Sequence, residues 1–238
     1  MASATFRFDP ALHDFLPRAR RGVAFTVQCA RAATTKHMIE ALGVPHTEVG
    51  TVLVNGAPAG LAHLLRDGDR VEVLPPPAGC AAAQAPRFVA DAHLGGLARL
   101  LRMAGFDTLY DNNIDDPTVA TLSADEGRIA LTRDRDLLKR RGITQGCYVR
   151  ALKPALQFAE IFQRLDLAPS ARPFTLCLAC NAPLRPVAKA AIAGRLPPSV
   201  RAAHDEFLTC DVCRGVFWRG SHWRRMAALL ASQGIQAG

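Results

Sequence analysis

The chain has 238 residues and a mass of 25.6 kDa, enough for one large domain or two to three small ones. Apolar residues make up 49% and charged residues 21%, a globular balance that excludes wholesale disorder and fibrous repeats, and no charge-free run of about 20 apolar residues is present to cross a bilayer. The formal charge of +8 and a pI near 9.5 invite an anionic partner such as nucleic acid. Arg7 and Asp9 stand where a secretory h-region would lie, so a cytoplasmic address is expected, in which the seven cysteines read as metal ligands, catalytic groups or core residues before disulfides.

Two proline-rich stretches, 74–86 and 167–173, read as linkers. Basic residues number 8 against 7 acidic ones over 1–78, 12 against 11 over 79–169, and 9 against 3 over 170–238, so the positive excess is almost wholly C-terminal.

The first segment alternates apolar and polar residues at Thr5–Phe8 and Ala24–Val27 and offers a short helix from Thr35 to Leu42. Strand signals follow at Val52–Gly56, which ends on an Asn-Gly turn, and at Asp67–Leu74, a turn feeding an alternating strand. Strands around one helix suggest a small α+β roll. The pattern of Val54-Asn55-Gly56 and then Asp67–Val73 resembles the ubiquitin-like sulfur-carrier family, the β-grasp fold. Carriers of that family end in a free Gly-Gly tail, whereas this chain runs on through Pro75–Pro77, so sulfur transfer is not expected and an interaction domain is.

The middle segment repeats strand then helix four times. Phe88–Ala90 precedes an amphipathic helix carrying Leu94, Leu97, Leu101 and Ala104, stopped by Gly105. Thr108–Tyr110 precedes a helix opening at Asp116-Pro117, with Asp116 as its N-cap. Ile129–Thr132 leads into a helix over 133–141, and Tyr148–Arg150 into one from Pro154 to about Leu165. Such repetition predicts a parallel sheet with flanking helices, in which ligands bind beyond the carboxyl ends of the strands.

The residues at those strand ends are aspartates: Asp91 after the first strand, Asp111 with Asp115 and Asp116 after the second, and Asp134 and Asp136 after the third. Carboxylates gathered at one edge repel unless a cation bridges them, and hard oxygen ligands suit Mg²⁺ or Mn²⁺, ions that activate water for attack on a phosphodiester. Taken singly, Asp111, Asp116, Asp134 and Asp136 also fit turns, caps and first helical turns; Asp91 has no obvious cap to make. Arg99, Arg102, Arg133, Arg135, Lys139, Arg140 and Arg141 interleave with these acids as phosphate contacts or as an ordinary solvated surface, Arg133 and Arg135 standing beside the presumed ligands. His93 reads as a packing or turn residue.

The run from Phe88 to Asn113, followed by Asp115-Asp116 and by Leu131–Leu138, resembles the PIN-like ribonuclease family first described at the carboxyl end of the Mut-seven exonuclease. Bacterial members also carry a C-terminal zinc ribbon, and many are preceded by a ubiquitin-like domain, so the likeness spans nearly the whole chain. It implies an α/β protein with a β-grasp domain over 1–78, a linker over 79–86, a PIN-like nuclease domain over 87–168 and a zinc ribbon over 169–238. It also implies a metal-dependent ribonuclease whose Asp91, Asp116, Asp134 and Asp136 hold one or two divalent ions, with RNA as partner; Arg133 and Arg135, beside those acids, are the candidate phosphate contacts, and the ubiquitin-like domain is a candidate site for a protein partner. The Asp115-Asp116 doublet leaves open which of the two is the ligand. Alternatives of other classes are a non-catalytic RNA-binding adaptor on the same fold and a scaffold in sulfur-carrier chemistry.

The last segment has little periodicity and two Cys-x-x-Cys pairs, Cys177/Cys180 and Cys210/Cys213, each setting two thiolates on a tight turn; together they complete a tetrahedral Cys₄ zinc site. The 29 residues between the pairs imply an insertion, a short helix over 188–193 and a proline turn at Pro197-Pro198. A closed Cys₄ shell has no open position, so this zinc is structural, not catalytic. Arg214, Arg219, Arg224 and Arg225 with Trp218, His222 and Trp223 combine charge with stacking surface, suited to single-stranded RNA or else to packing the ribbon. Cys29, Cys80 and Cys147 are expected to be inert. No Gly-x-Gly-x-x-Gly, Walker loop or His-Glu-x-x-His is present, which removes support for nucleotide-cofactor, ATPase and zinc-protease readings.

Overall fold

The structure is a computed structural model that describes residues 2–77, 79 and 86–236. Cys80 and most of the expected 79–86 linker lie outside the described residues. The chain opens with β1 (Ser3–Phe8), β2 (Phe25–Gln28), α1 (Thr35–Ala41), β3 (Thr51–Val54), β4 (Ala57–Ala59) and β5 (Asp69–Leu74). Next come β6 (Phe88–Ala90), α2 (Gly95–Met103), β7 (Thr108–Leu109), α3 (Asp116–Glu126), β8 (Ile129–Thr132), α4 (Arg135–Leu138), β9 (Gly146–Tyr148) and α5 (Pro154–Arg164). It closes with β10 (Leu184–Val187), α6 (Lys189–Ile192), α7 (Pro198–Ala203), β11 (Phe207–Cys210), β12 (Val216–Phe217) and α8 (Ser221–Ala231). These elements group into two compact units, one of residues 1–80 with 115–148, the other of 81–114 with 149–238.

In the first unit a five-stranded mixed sheet runs in the order β2-β1-β5-β3-β4, the β-grasp arrangement. Alternation does the sorting: Ala4, Phe6 and Phe8 of β1 point into the core and pair in parallel with Asp69, Val71 and Val73 of β5. Asn55 and Gly56, at φ 53° and 81°, form the two-residue turn that returns β3 into β4, and the Asn55 side chain donates to Asp69 (2.9 Å) and accepts from the Arg70 N–H (2.9 Å). Helix α1 is capped by Thr34, whose hydroxyl accepts from the His37 N–H. It seats Met38 and Ile39 in the same core.

The other part of this unit holds β8 and β9, a parallel pair with Ala130 opposite Gly146 and Thr132 opposite Tyr148. Strand β9 lies two residues earlier than the expected Tyr148–Arg150. Gly146 belongs in it because a Cβ there would meet the Leu138 side chain at 2.6 Å, a close approach that reads as a turn in sequence. The helix expected over 133–141 shortens to the single turn α4, capped at its start by Asp134.

In the second unit β6 and β7 pair in parallel, Phe88 opposite Thr108. Helix α2 buries Leu97, Ala98 and Leu101, and Phe106 stands edge-on to Phe88 and Phe162, which in turn packs on Phe158 of α5. The stretch 167–173 is packed, not a free linker: Leu167 and Ala171 are buried, and the Arg172 and Phe174 N–H groups donate to Ala104 and Met103. Gly105, at φ 90°, permits that close approach to the Arg172 carbonyl.

The ribbon is a three-stranded antiparallel sheet in the order β10-β11-β12, with Ile192, Leu196 and Phe207 as its small core. The insertion carries α6, as expected, but Pro198 opens helix α7 where only a turn was expected, since proline is preorganised for a first helical position. Among the described residues no helix is long and apolar enough to cross a membrane.

Candidate functional site

The second unit holds Asp91. It follows β6 directly, is 9% exposed, and stands at the start of a 3-10 turn over Ala92–Leu94 without a side-chain capping bond. The glycines after it serve close packing: a Cβ on Gly95 would strike the Tyr110 hydroxyl and one on Gly96 the Pro154 ring at 2.5 Å. The Tyr110 hydroxyl also donates to the Ala92 carbonyl (3.0 Å), so the backbone just after Asp91 is tied to the end of β7. Asp111 closes a turn by accepting from the Asn113 N–H (2.7 Å). His93 and Arg99 are exposed.

The remaining acids belong to the first unit. Asp115, not Asp116, is the N-cap of α3: it has extended backbone and accepts from the Thr118 N–H (2.9 Å). The helix begins at Asp116 itself, which puts the capping geometry one residue earlier than Pro117 suggested. Hydrogen bonds from the Thr118 side chain and N–H hold the Asp115 carboxyl below the usual aspartate range. Asp116, freed from the cap, receives Arg140 (3.0 Å), which ties the start of α3 to the turn after α4.

Asp134 caps α4, its Oδ1 accepting from the Asp136 N–H (2.7 Å) and the Leu137 N–H (3.4 Å), and its own N–H donating to the buried Thr132 (2.9 Å). Among the described residues its second oxygen has no hydrogen-bond partner. Asp136 receives Lys139 (2.9 Å) with its side chain 87% exposed. Arg133 and Arg141 are exposed. Arg135 instead donates to the carbonyls of Asp14 (2.7 Å) and Phe15 (3.4 Å).

In the second unit the two knuckles converge. Cys177 Sγ lies 3.5 Å from Cys213 Sγ and Cys180 Sγ 3.4 Å from Cys210 Sγ, and all four sulfurs fall within 4.8 Å of one another, a group able to hold a metal ion. Thiolates about 2.3 Å from a tetrahedral zinc would sit at comparable separations. Asn181 (φ 68°) and Arg214 (φ 63°), each directly after the second cysteine of its pair, take the same left-handed turn, so the knuckles repeat in backbone as well as in sequence. Burial pushes the Cys177 thiol up to about 12, against the Cys180 and Ala179 N–H groups that favour its thiolate. Burial opposes ionisation of Cys210 as well, but the Cys213 and Val212 N–H groups and the Cys180 thiol bring it down to about 7.

Arg102, one of the candidate phosphate contacts, is 5% exposed and faces inward. It donates to the carbonyls of Thr108 (2.9 Å), Leu178 (3.3 Å) and Ala179 (2.8 Å), so α2 grips the first knuckle from behind. Burial lowers its pKa, and the neighbouring Cys180 and Cys177 counter that by favouring its charge. Asn181 completes the grip by donating to Asp107 (2.6 Å) and accepting from the Thr108 N–H (3.0 Å). The available signal for Arg102 was its place one turn beyond Ala98 on the apolar face of α2.

The tryptophans serve the ribbon. Trp218 packs against the Phe207 core, and Trp223 lies over Phe174 (5.3 Å) with the Arg219 guanidinium above its ring (5.4 Å). They line a cavity of about 860 Å³ together with Arg99, Phe217 and His222.

The Mut7-C RNAse domain matches residues 86–230 and the Mut7-C ubiquitin domain residues 1–79. Among solved structures, the chain is similar to the H. volcanii small archaeal modifier protein 1 (21% identity, TM-score 0.27), covering 32% of this chain and 100% of that one. It is likewise similar to a putative molybdopterin converting factor, subunit 1, from Pyrococcus furiosus (18% identity, TM-score 0.27), with 32% of this chain and 100% of that one covered. No curated protein matches the chain. The strand-end acids and both cysteine pairs all fall within the matched 86–230, and the chain belongs to the Mut7-C RNAse domain family, with a Mut7-C ubiquitin domain ahead of it.

Proposed function

We propose that this chain is a metal-dependent ribonuclease that hydrolyses RNA phosphodiester bonds. The observation that carries the reading is the RNAse-domain match over 86–230, which encloses the acids at the ends of β6 and β8 and at the start of α3. Asp91, Asp116, Asp134 and Asp136 would hold Mg²⁺ or Mn²⁺. Their donor set fits hard cations: Asp134 has one oxygen outside its capping bonds, Asp136 is exposed, and Asp116 is not consumed by the α3 cap. When bound, such an ion would lower the pKa of a coordinated water below that of bulk water, making it a better nucleophile, and would offset charge on the phosphodiester.

The chain's own groups do the rest. The α4 cap fixes the Asp134 carboxylate, Arg140 orients Asp116, and exposed Arg133 meets the phosphate backbone. The four cysteines would hold a structural zinc, which supplies folding free energy to a ribbon with only a small apolar core around Ile192, Leu196 and Phe207 among the described residues. Thiolates that must stay reduced to hold it fit the cytoplasm. The test is cleavage of an end-labelled single-stranded RNA with Mg²⁺ or Mn²⁺ against EDTA. Asp91→Asn and Asp134→Asn are each expected to lower the rate by about a hundredfold or more. Wild-type rates in both variants would remove the proposed site.

A second reading, RNA binding without cleavage, is favoured by the basic C-terminal segment and the aromatic cavity of the ribbon. It predicts salt-steep RNA binding and no divalent-dependent cleavage.

A further inference from the structure

We propose that Arg135 is a positioning residue through which the ubiquitin-like domain sets the Asp134–Asp136 turn of the nuclease, an inference that rests on the ribonuclease reading. Arg135 lies between the two acids, at the first residue of α4. Its guanidinium donates to the Asp14 and Phe15 carbonyls, the last two of a 3-10 helix over Pro10–Phe15. The arginine thus meets the chain where it leaves that helix, its cationic fork directed at two backbone carbonyl oxygens. The same guanidinium stands over the rings of Phe15 (5.2 Å) and Tyr148 (5.7 Å), which meet edge to face (5.2 Å). Phe15 is 2% exposed within the β-grasp core, so this anchor is embedded in the sheet domain.

Two further bonds hold the same stretch of chain. Glu48, 2% exposed, accepts from the Tyr148 N–H (2.8 Å). The His46 ring lies 2.8 Å from the Ile143 carbonyl and 2.7 Å from Glu40. Residues 135–148 are therefore gripped at Arg135, at Ile143 and at Tyr148 by residues of the β-grasp domain.

Helix α4 has four residues, too few to hold a shape of its own, so the orientation of the acids on either side of Arg135 comes from what anchors it. A guanidinium spent on two carbonyls and two rings is not presented to a phosphate. Arginine is required in this role because lysine has neither the planar stacking face nor the two-pronged fork. The partner of this face of the ubiquitin-like domain is the chain's own 135–148 stretch.

The experiment uses the full chain with Arg135→Lys, Arg135→Ala and Phe15→Leu, and Arg133→Ala as the contrast. It measures kcat and KM on single-stranded RNA with Mn²⁺, RNA affinity in EDTA as a function of salt, and amide hydrogen exchange. For the Arg135 and Phe15 variants, kcat is expected to fall about tenfold or more with RNA affinity within about twofold of wild type. Exchange at Asp136 and Leu137 should quicken while β1 and β5 keep their protection. Arg133→Ala should instead weaken RNA binding and shallow the salt slope by about 1.

Unchanged exchange at Asp136 and Leu137 in Arg135→Lys overturns the proposal, as does a loss confined to RNA affinity, which would make Arg135 a phosphate contact. If the wild type shows no divalent-dependent cleavage, the ribonuclease reading fails separately, and the exchange measurement still decides the anchoring.

Discussion

A buried arginine that touches three carbonyls is a costly thing to orphan. Arg102 meets the carbonyls of Thr108, Leu178 and Ala179 and stands near two thiols of the four-cysteine group, where its charge favours thiolates. Arg102→Met leaves those carbonyls unpartnered and is expected to destabilise the protein by about 3 kcal/mol or more in urea unfolding. It should also speed zinc loss to a chromophoric chelator, whereas Arg99→Met, at an exposed position on the same helix, should do neither. The convergence of the two cysteine pairs was legible because thiols that must face one point need a fixed spacing. Arg102 was not, since nothing in an amphipathic helix says whether a long cation on its apolar face reaches out to solvent or in to a backbone.

At the scale of elements, four strands and the one helix of the β-grasp domain follow from alternation and from the Asn55-Gly56 turn, and the structure moves their ends by only one or two residues, but β4 (Ala57–Ala59), too short to show alternation, was not expected. Element ends depend on which residue first adopts helical backbone, a choice settled by local hydrogen bonds that composition does not reveal. The Asp115-Asp116 doublet shows this, with the cap on the former and the carboxylate left over on the latter. Asp115→Ala should lower the melting temperature at neutral pH. The sign follows from the depressed carboxyl: its contribution is present above the ordinary aspartate value of 3.8 and lost as pH falls below it, so wild type and variant should converge in acid. Asp115→Ser, which can still cap, should keep both stability and cleavage, while Asp116→Asn should lose cleavage.

Taken whole, the molecule separates its chemistry by segment. The net charge of +8 resolves into a basic segment beyond residue 170 that contains the four clustered cysteines, a group able to hold a metal ion, and both tryptophans. That coincidence supplies a reporter: stripping metal with a strong chelator should shift tryptophan emission to the red through Trp218 and Trp223, and zinc should restore it. The absence of a shift would mean that the ribbon does not depend on metal. What the sequence could not show was long-range grouping, because pairings such as Glu48 with Tyr148, a hundred residues apart, leave no local periodicity.

The order of the two compact units along the chain bears on inheritance. The matched modules, 1–79 and 86–230, meet near residue 80, but the compact units exchange chain again at 114 and 148. A genetic exchange at the module boundary would leave the Asp14 and Phe15 carbonyls on one parent and Arg135 on the other. Shuffling of the ubiquitin-like piece among relatives is thereby limited to donors whose loop already suits the recipient's arginine, and the two modules are expected to descend together.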